Sequence, residues 1–134
     1  MTQEDKEVVI KDMSARLPYG VMCEINNRCV KVEEINPIEG VITYDGWLSC
    51  CIDEDEDIKP YLRSLSSMTE SERKEFDDLS KFDEDVWMGN HKVGFPKNVR
   101  IMSKCVDWLN RKMFDHRGLI PKGLANEAPE GMYN

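Results

Sequence analysis

The stretch Val21-Met22-Cys23-Glu24-Ile25-Asn26-Asn27-Arg28-Cys29-Val30-Lys31-Val32 decides the fold, because apolar residues recur at every second position on both sides of a turn. Asparagine tolerates the positive φ of a two-residue hairpin, so Asn26-Asn27 predicts a tight turn. That turn sets residue 25 opposite 28, 24 opposite 29 and 23 opposite 30. Cys23 and Val30 then share an apolar face, whereas Cys29 lies on the other face, poorly placed to bond to Cys23.

Further strands follow this hairpin. The segments Val41–Tyr44 and Trp47–Ile52 flank Asp45-Gly46, a dipeptide typical of hairpin turns. A fifth short strand is predicted from Ile58, and Pro60 limits it because proline cannot donate to a ladder. Hairpins this short must coil to close a core, so we expect a small curled antiparallel sheet, with an SH3-like barrel as the best guess.

Helical periodicity lies on both sides of the sheet. Apolar spacing predicts a first helix over residues 3–16, with Thr2 as its N-cap. Thr69 and Glu72 fit a capping box, which predicts a second helix from Thr69 to about Ser80.

A third helix is predicted over residues 97–113. Its apolar arc contains six residues: Val99, Met102, Cys105, Val106, Leu109 and Met113. Breakers make residues 83–96 look irregular, and the tail 128–134 is expected to be extended or frayed. Trp47 and Trp87 are interpreted as partly buried core residues.

The fold class that follows is α+β, in one domain that spans residues 1–134. It consists of the helix 3–16, a β-rich part over 20–60 and a helical part over 69–125 with two to three C-terminal helices. A chain of 134 residues is long enough to bury a core of its own.

Charge is unevenly distributed along the chain. The formal net charge is −8, and residues 1–60 carry all of this excess. Residues 91–122 are basic, with eight Lys or Arg against Asp107 and Asp115. No apolar run has the roughly 18 residues of a membrane span, and the acidic N-terminus does not read as a signal peptide. We therefore predict no membrane partner and a cytoplasmic location.

Three blocks of sequence carry a family resemblance. They are Lys11–Val21 (KDMSARLPYGV), Lys59–Thr69 (KPYLRSLSSMT), and Asp107–Asn110 continuing through Phe114–Ile120 to Lys122–Ala125, and they cover about a third of the chain. Together they resemble a family of small uncharacterised proteins of gut bacteria, their phages and prophages. The resemblance implies a phage- or prophage-associated role and supplies no activity.

The sequence contains no recognisable catalytic or metal-binding signature. The acidic run 53–57 fails the EF-hand pattern, which needs Gly at its sixth position and Glu at its twelfth. Five cysteines occur without a C-x-x-C pair, and we expect them to be free and mostly buried. The two histidines, His91 and His116, lack the paired spacing of zinc ligands. We therefore predict no catalytic residue, no metal and no cofactor.

The sharpest positive feature is a basic stripe on the third helix. At about 100° per residue, Lys97, Arg100, Lys104 and Arg111 fall within about 60° of arc, and Trp108 borders them. A phosphate-rich ligand or an acidic protein partner would suit such a stripe. Alternatively, the basic stripe is a solvated helix face with no ligand, or it pairs with the acidic half of the same chain. For Trp108 the alternative is a role in the core.

The preferred function is a phage- or prophage-associated, non-enzymatic accessory or interaction protein. The sequence does not identify its partner, and a protein is favoured over nucleic acid. The alternative is a nucleic-acid-binding accessory protein that uses the basic stripe, although the overall acidity argues against strong nucleic-acid binding.

Overall fold

A computed structural model describes residues 2–52, 58–80, 87–88, 91–92 and 95–133, with the backbone alone at 80, 87–88, 91–92 and 95–99. The α+β prediction is confirmed: an N-terminal helix precedes a mixed sheet, and two further helices follow the first five strands of that sheet. In chain order the elements are α1 Gln3–Arg16, β1 Met22–Ile25, β2 Arg28–Asn36, β3 Val41–Tyr44, β4 Leu48–Cys51, β5 Lys59–Leu62, α2 Glu70–Ser80, β6 Trp87–Met88, β7 His91–Lys92, α3 Phe95–Arg111 and β8 Asn126–Glu127.

Helix α1 has the predicted bounds of 3–16 and a complete cap. The Asp5 amide donates to the Thr2 hydroxyl at 3.0 Å, and the Thr2 amide donates to the Asp5 carboxylate at 3.2 Å. A 3₁₀ turn over Leu17–Tyr19 and Gly20, at φ 82°, end the helix. The predicted cap therefore satisfies amides that the first helical turn leaves without partners.

The β1–β2 hairpin has the predicted register. Ile25 pairs with Arg28 and Cys23 with Val30, across a turn in which Asn26 and Asn27 have φ of 51° and 64°. Cys23 is buried and Cys29 is exposed, and both are free thiols. The alternation of apolar residues is thus sufficient to fix which face of this hairpin meets the core.

The sheet as a whole is open, so the expectation of an SH3-like barrel is wrong. Its six strands run in the order β4-β3-β2-β1-β5-β8, with β4 at one edge and β8 at the other. It is mixed rather than antiparallel, because β8 pairs parallel to β5. The sixth strand comes from near the C-terminus, where two residues with no β-like pattern pair with β5.

Pro60 lies inside β5 and does not limit it as predicted. It faces Cys23 of β1, whereas pairing with β8 begins one residue later, at Tyr61. Pro60 thus lies where β5 has a partner strand on one side only. At such a position the missing amide N–H of a proline is tolerated.

The tail, predicted to be extended or frayed, is held against the sheet. The Ala128 amide donates to the Leu62 carbonyl at 2.7 Å. The Tyr133 hydroxyl accepts from the Met22 amide at 2.8 Å and donates to the Tyr61 carbonyl at 2.7 Å. A half-buried aromatic ring thus anchors this segment, which composition alone gave no reason to expect.

The core has two parts. The larger one lies between α1, one face of the sheet and the segment after α3, and it includes Val9, Met13, Ile42 and Leu119. The smaller one surrounds Trp108 and joins α2 to α3.

Helix α2 begins with the predicted capping box, in which the Glu72 amide donates to the Thr69 hydroxyl at 3.2 Å. Beyond it, the described part of the predicted irregular segment contains a short antiparallel pair, β6 with β7. Helix α3 then begins at Phe95, two residues before the predicted start.

Two expectations about burial fail. Trp47 was predicted to be partly buried but is 81% exposed, because the β3–β4 connection is a three-residue turn that ends with it. The cysteines were predicted to be mostly buried, yet Cys23 alone among the five is buried. Burial of Cys23 raises the pKa of its thiol, which keeps that thiol protonated and inert.

Candidate functional site

The predicted basic stripe lies on α3, and its described cations are exposed. Arg100, Lys104 and Arg111 all carry exposed side chains. Lys97 lies in the first turns of α3, and its side chain falls outside the described part of the chain. Since α3 turns about 100° per residue, the three described cations fall within about 40° of arc. The structure therefore places these three predicted residues on one exposed edge.

Trp108 is a core residue and does not lie beside that edge as an open ring. It is 1% exposed, and its ring centroid lies 5.4 Å from that of Phe76 and 5.7 Å from that of Phe114. Its indole N–H donates to Glu75 at 3.0 Å. Because α2 covers this side of α3, Trp108 has no free ring face for a nucleobase or another ligand.

The apolar arc of α3 is only partly buried, which corrects the prediction for two residues. Met102 is 65% exposed and Val106 is 38% exposed, whereas Leu109 is buried as predicted. Met113 is buried too, but α3 ends at Arg111, two residues before the predicted end, and Met113 has φ 63°. The buried side is rotated toward Trp108, because α2 packs there and leaves Met102 and Val106 uncovered.

These observations define an α3 outer face, made of Arg100, Met102, Lys104, Val106 and Arg111. On a helical projection the cations form one edge and the two apolar residues the opposite edge of an arc of about 200°, with Ser103, Asp107 and Asn110 between them. Asn110 is buried, and the other side chains named here are exposed. The face therefore offers charge and apolar surface together.

A buried ion cluster joins α1 to the segment after α3, and sequence reasoning missed it. Arg16 donates from Nε and Nη2 to the two carboxylate oxygens of Asp12, at 2.8 and 3.0 Å, and from Nη2 to the Phe114 carbonyl at 2.7 Å. Arg117 Nε lies 3.2 Å from Asp12 but is not aligned for a hydrogen bond. The i,i+4 spacing of Asp12 and Arg16 on α1 is the sequence feature that could have predicted this ion pair. Such spacing usually indicates an exposed pair, so it would not have predicted the burial.

His116 borders this cluster. Its Nε2 lies 2.8 Å from the Asn110 side-chain oxygen. Burial and the guanidinium groups of Arg16 and Arg117 lower the pKa of His116, against the opposing charges of Asp12 and Asp115. The described hydrogen bond of the ring thus goes to an amide rather than to the thiol or hydroxyl that a nucleophile would supply.

Two cavities flank these elements. One, of about 570 Å³, lies between α1 and the β2–β3 turn. The other, of about 720 Å³, lies between the tail and the start of α2, where Arg63 is already engaged by both oxygens of Glu72 at 2.8 Å. Arg63 also stacks over Phe114, 4.2 Å from the ring centroid, so it is not free to bind a ligand.

The part of the chain that the structure describes contains neither a candidate metal site nor a candidate membrane-spanning helix. Among the described residues, no three or more His, Cys, Asp or Glu side chains converge in a way that could hold a metal ion. None of the helices described has the length and apolar character needed to cross a bilayer. The acidic run 53–57 and the His91 and Trp87 side chains lie outside the described residues.

Comparison with protein-family models, with curated proteins and with solved structures gave no match. Function therefore has to be inferred from the chemistry of the α3 outer face, the cavities and the buried charges.

Proposed function

We propose that this chain is a non-enzymatic accessory protein that binds an acidic protein partner through the α3 outer face. The observation that carries the proposal is the 65% exposure of Met102 on a helix that also presents three exposed cations. The resemblance of the three sequence blocks supports a phage- or prophage-associated setting for this role.

The mixed character of the face favours a protein partner. Exposed apolar side chains gain free energy when a partner removes them from water. Arg100, Lys104 and Arg111 lie along one edge and would attract carboxylates and orient the partner. An amphipathic segment with acidic residues beside its apolar stripe satisfies both requirements.

Nucleic-acid binding is the second candidate, supported by the same three cations. Two observations weigh against it as the first choice. Trp108 is buried and cannot stack on a base, and Met102 and Val106 have no role in a phosphate contact.

The test is affinity capture from a lysate of the native host, with and without nuclease, read by mass spectrometry. Wild-type chain is compared with Met102→Asp/Val106→Asp and with Arg100→Glu/Lys104→Glu. Lys74→Glu, at an exposed position of α2, serves as the matched control. We expect one partner that survives nuclease treatment, is lost from both double variants and stays with Lys74→Glu.

Two results would overturn the proposal. Loss of the partner on nuclease treatment would favour the nucleic-acid candidate. Retention by Met102→Asp/Val106→Asp would show that the apolar edge has no role. A direct titration with fluorescently labelled duplex DNA separates these cases further, because phosphate binding weakens steeply as salt rises.

A further inference from the structure

The α3 outer face has one carboxylate within its row of cations. Asp107 follows Lys104 by three residues and precedes Arg111 by four, so it lies about 4.5 Å and about 6 Å from them along the helix axis. On the helical projection it lies within about 60° of each of the three described cations. All of these side chains are exposed. The exposed charges along this edge are therefore Arg100 and Lys104, then Asp107, then Arg111.

No close ion pair neutralises Asp107 in the part of the chain that the structure describes. Its spacing from Lys104 and from Arg111 would allow such a pair within α3. The ion pairs among the described residues nevertheless all involve other carboxylates and other cations. Asp107 and the cations beside it can therefore each face an opposite charge on a partner.

We propose that Asp107 determines which acidic partner the α3 outer face accepts, an inference that rests on the function proposed above. The partner is an amphipathic helix with carboxylates opposite Lys104 and Arg111 and a Lys or Arg opposite Asp107. A carboxylate opposite Asp107 would be repelled, because like charges that face each other across an interface are unfavourable. The chemical class of the partner is thus a helix with one basic residue between two acidic ones, beside an apolar stripe.

The rise of the helix fixes the spacing of these charges on the partner. Lys104 and Arg111 are seven residues apart, which is about 10.5 Å along the axis. Two acidic residues seven positions apart on a partner helix match that distance and lie on one side of it. The basic residue then follows the first acidic one by three positions if the two helices are parallel, and by four if they are antiparallel. Its apolar stripe covers Met102 and Val106, which are one turn apart on α3.

The same carboxylate distinguishes a protein partner from a nucleic acid. A nucleic-acid backbone presents an unbroken row of negative charge, so it has no cation to set opposite Asp107. Specific interfaces combine attractive contacts with an element that repels the wrong partner, and Asp107 supplies that element here. Removal of its charge should therefore strengthen the binding of DNA and weaken the binding of the patterned helix.

The test is a titration of the full chain with synthetic helical peptides that differ at one position. Each peptide has an apolar stripe and two Glu seven positions apart, with Lys or Glu placed three or four positions after the first. We expect wild type to bind the better Lys peptide about fivefold more tightly than its Glu counterpart at low salt. Asp107→Asn should remove or reverse this preference. Glu70→Gln, which neutralises an exposed carboxylate on α2, is the matched control and should keep the preference.

A second titration, with duplex DNA at low salt, should show Asp107→Asn binding about threefold more tightly than wild type and Glu70→Gln. Met102→Asp/Val106→Asp separates the possible failures, because it removes the apolar edge and leaves every charge of the row in place. If the peptides bind, lose affinity for that double variant and yet show no Lys-over-Glu preference, this inference is wrong and the proposed function stands. The inference is also wrong if Asp107→Asn keeps the preference or fails to strengthen DNA binding. If wild type binds none of the peptides, the proposed function fails together with the inference.

Discussion

Arg16 and Asp12 form a bidentate ion pair in which neither side chain is exposed. Desolvation of two charges is costly, and the two hydrogen bonds within the pair and one more to the backbone offset part of that cost, although Arg16 Nη1 is buried without a described partner. Its second guanidinium nitrogen, Nη2, also donates to the Phe114 carbonyl, 98 positions along the chain. The pair therefore joins α1 to the segment that follows α3.

Removing one member of this pair should be strongly destabilising. We expect Asp12→Asn or Arg16→Met to lower the free energy of unfolding by about 3–5 kcal/mol. Asp12→Asn leaves the buried Arg16 without its carboxylate, and Arg16→Met leaves the buried Asp12 with only Arg117 beside it. The double variant Asp12→Leu/Arg16→Met should be less destabilised than either single one. Urea unfolding followed by circular dichroism measures this, with Glu7→Gln on the exposed side of α1 as control. Single variants within about 1 kcal/mol of wild type would contradict the expectation.

The corrected orientation of α3 predicts opposite results at two positions. Trp108→Ala should cost about 3–5 kcal/mol, since it removes a ring packed between Phe76 and Phe114. Met102→Ala should change stability by less than about 0.5 kcal/mol, because its side chain is exposed. Thermal unfolding of the two variants provides the comparison. A large loss at Met102 would mean that this side of α3 is covered.

The Arg63–Glu72 pair should contribute stability that disappears in acid. Hydrogen bonds from Arg63 lower the pKa of Glu72 to about 2, against an ordinary value of 4.5. The folded state therefore favours the carboxylate, so the stabilisation is complete above pH 4.5 and is lost as the pH falls toward 2. We expect Glu72→Gln to cost about 1–2 kcal/mol at neutral pH. The difference from wild type in urea unfolding should shrink below pH 4.5, and a constant difference would argue against the pair.

His116 should make the fold sensitive to mild acid. Burial, Arg16 and Arg117 lower its pKa from 6.5, so the folded state favours the neutral ring. The unfolded chain then binds the proton more tightly, and the stability that this ring contributes is complete above pH 6.5 and declines below it. His116→Gln keeps an amide able to reach Asn110 and does not titrate. The melting temperature of wild type should fall relative to that of His116→Gln as the pH drops below 6.5, and parallel curves would contradict this.

The Tyr133 hydroxyl should hold the tail against the sheet. Its contacts with Met22 and Tyr61 predict that Tyr133→Phe loses about 1–2 kcal/mol. The Met22 amide should also exchange its hydrogen faster in Tyr133→Phe than in wild type, because its acceptor is gone. Amide exchange read by NMR measures this, with the Val30 amide of the neighbouring strand as an internal reference. Unchanged protection at Met22 would show that the phenol does not hold the tail.

Local patterns predicted several elements well. The β1–β2 register follows from Asn26-Asn27 and the alternation around it, and the bounds of α1 follow from Thr2 and Gly20. The capping box at Thr69 likewise marks the start of α2. In each case the residues that decide the structure are neighbours in the chain, so their conformational preferences are sufficient.

The candidate site was predicted only in part. The described cations of α3 are exposed as a helical projection suggests, because charged residues rarely enter the core unless they are paired there, as Arg16 is with Asp12. The buried side predicted for α3 was too wide, because it included Met102 and Val106, which are exposed. Periodicity shows which residues could be buried together, but it does not say which of them a neighbouring helix covers.

The sequence by itself determined the first hairpin with its register and the helix caps, because each depends on residues a few positions apart. It also determined the α+β class, from the order of such local patterns, and the charge asymmetry, from composition alone. Tertiary structure alone decided the open sheet with β8 as its sixth strand, the burial of Arg16 and Trp108, and the exposure of Met102 and Trp47. The physical reason is that burial depends on contacts between distant segments, such as Arg16 with Phe114 and Met22 with Tyr133, which no local pattern encodes.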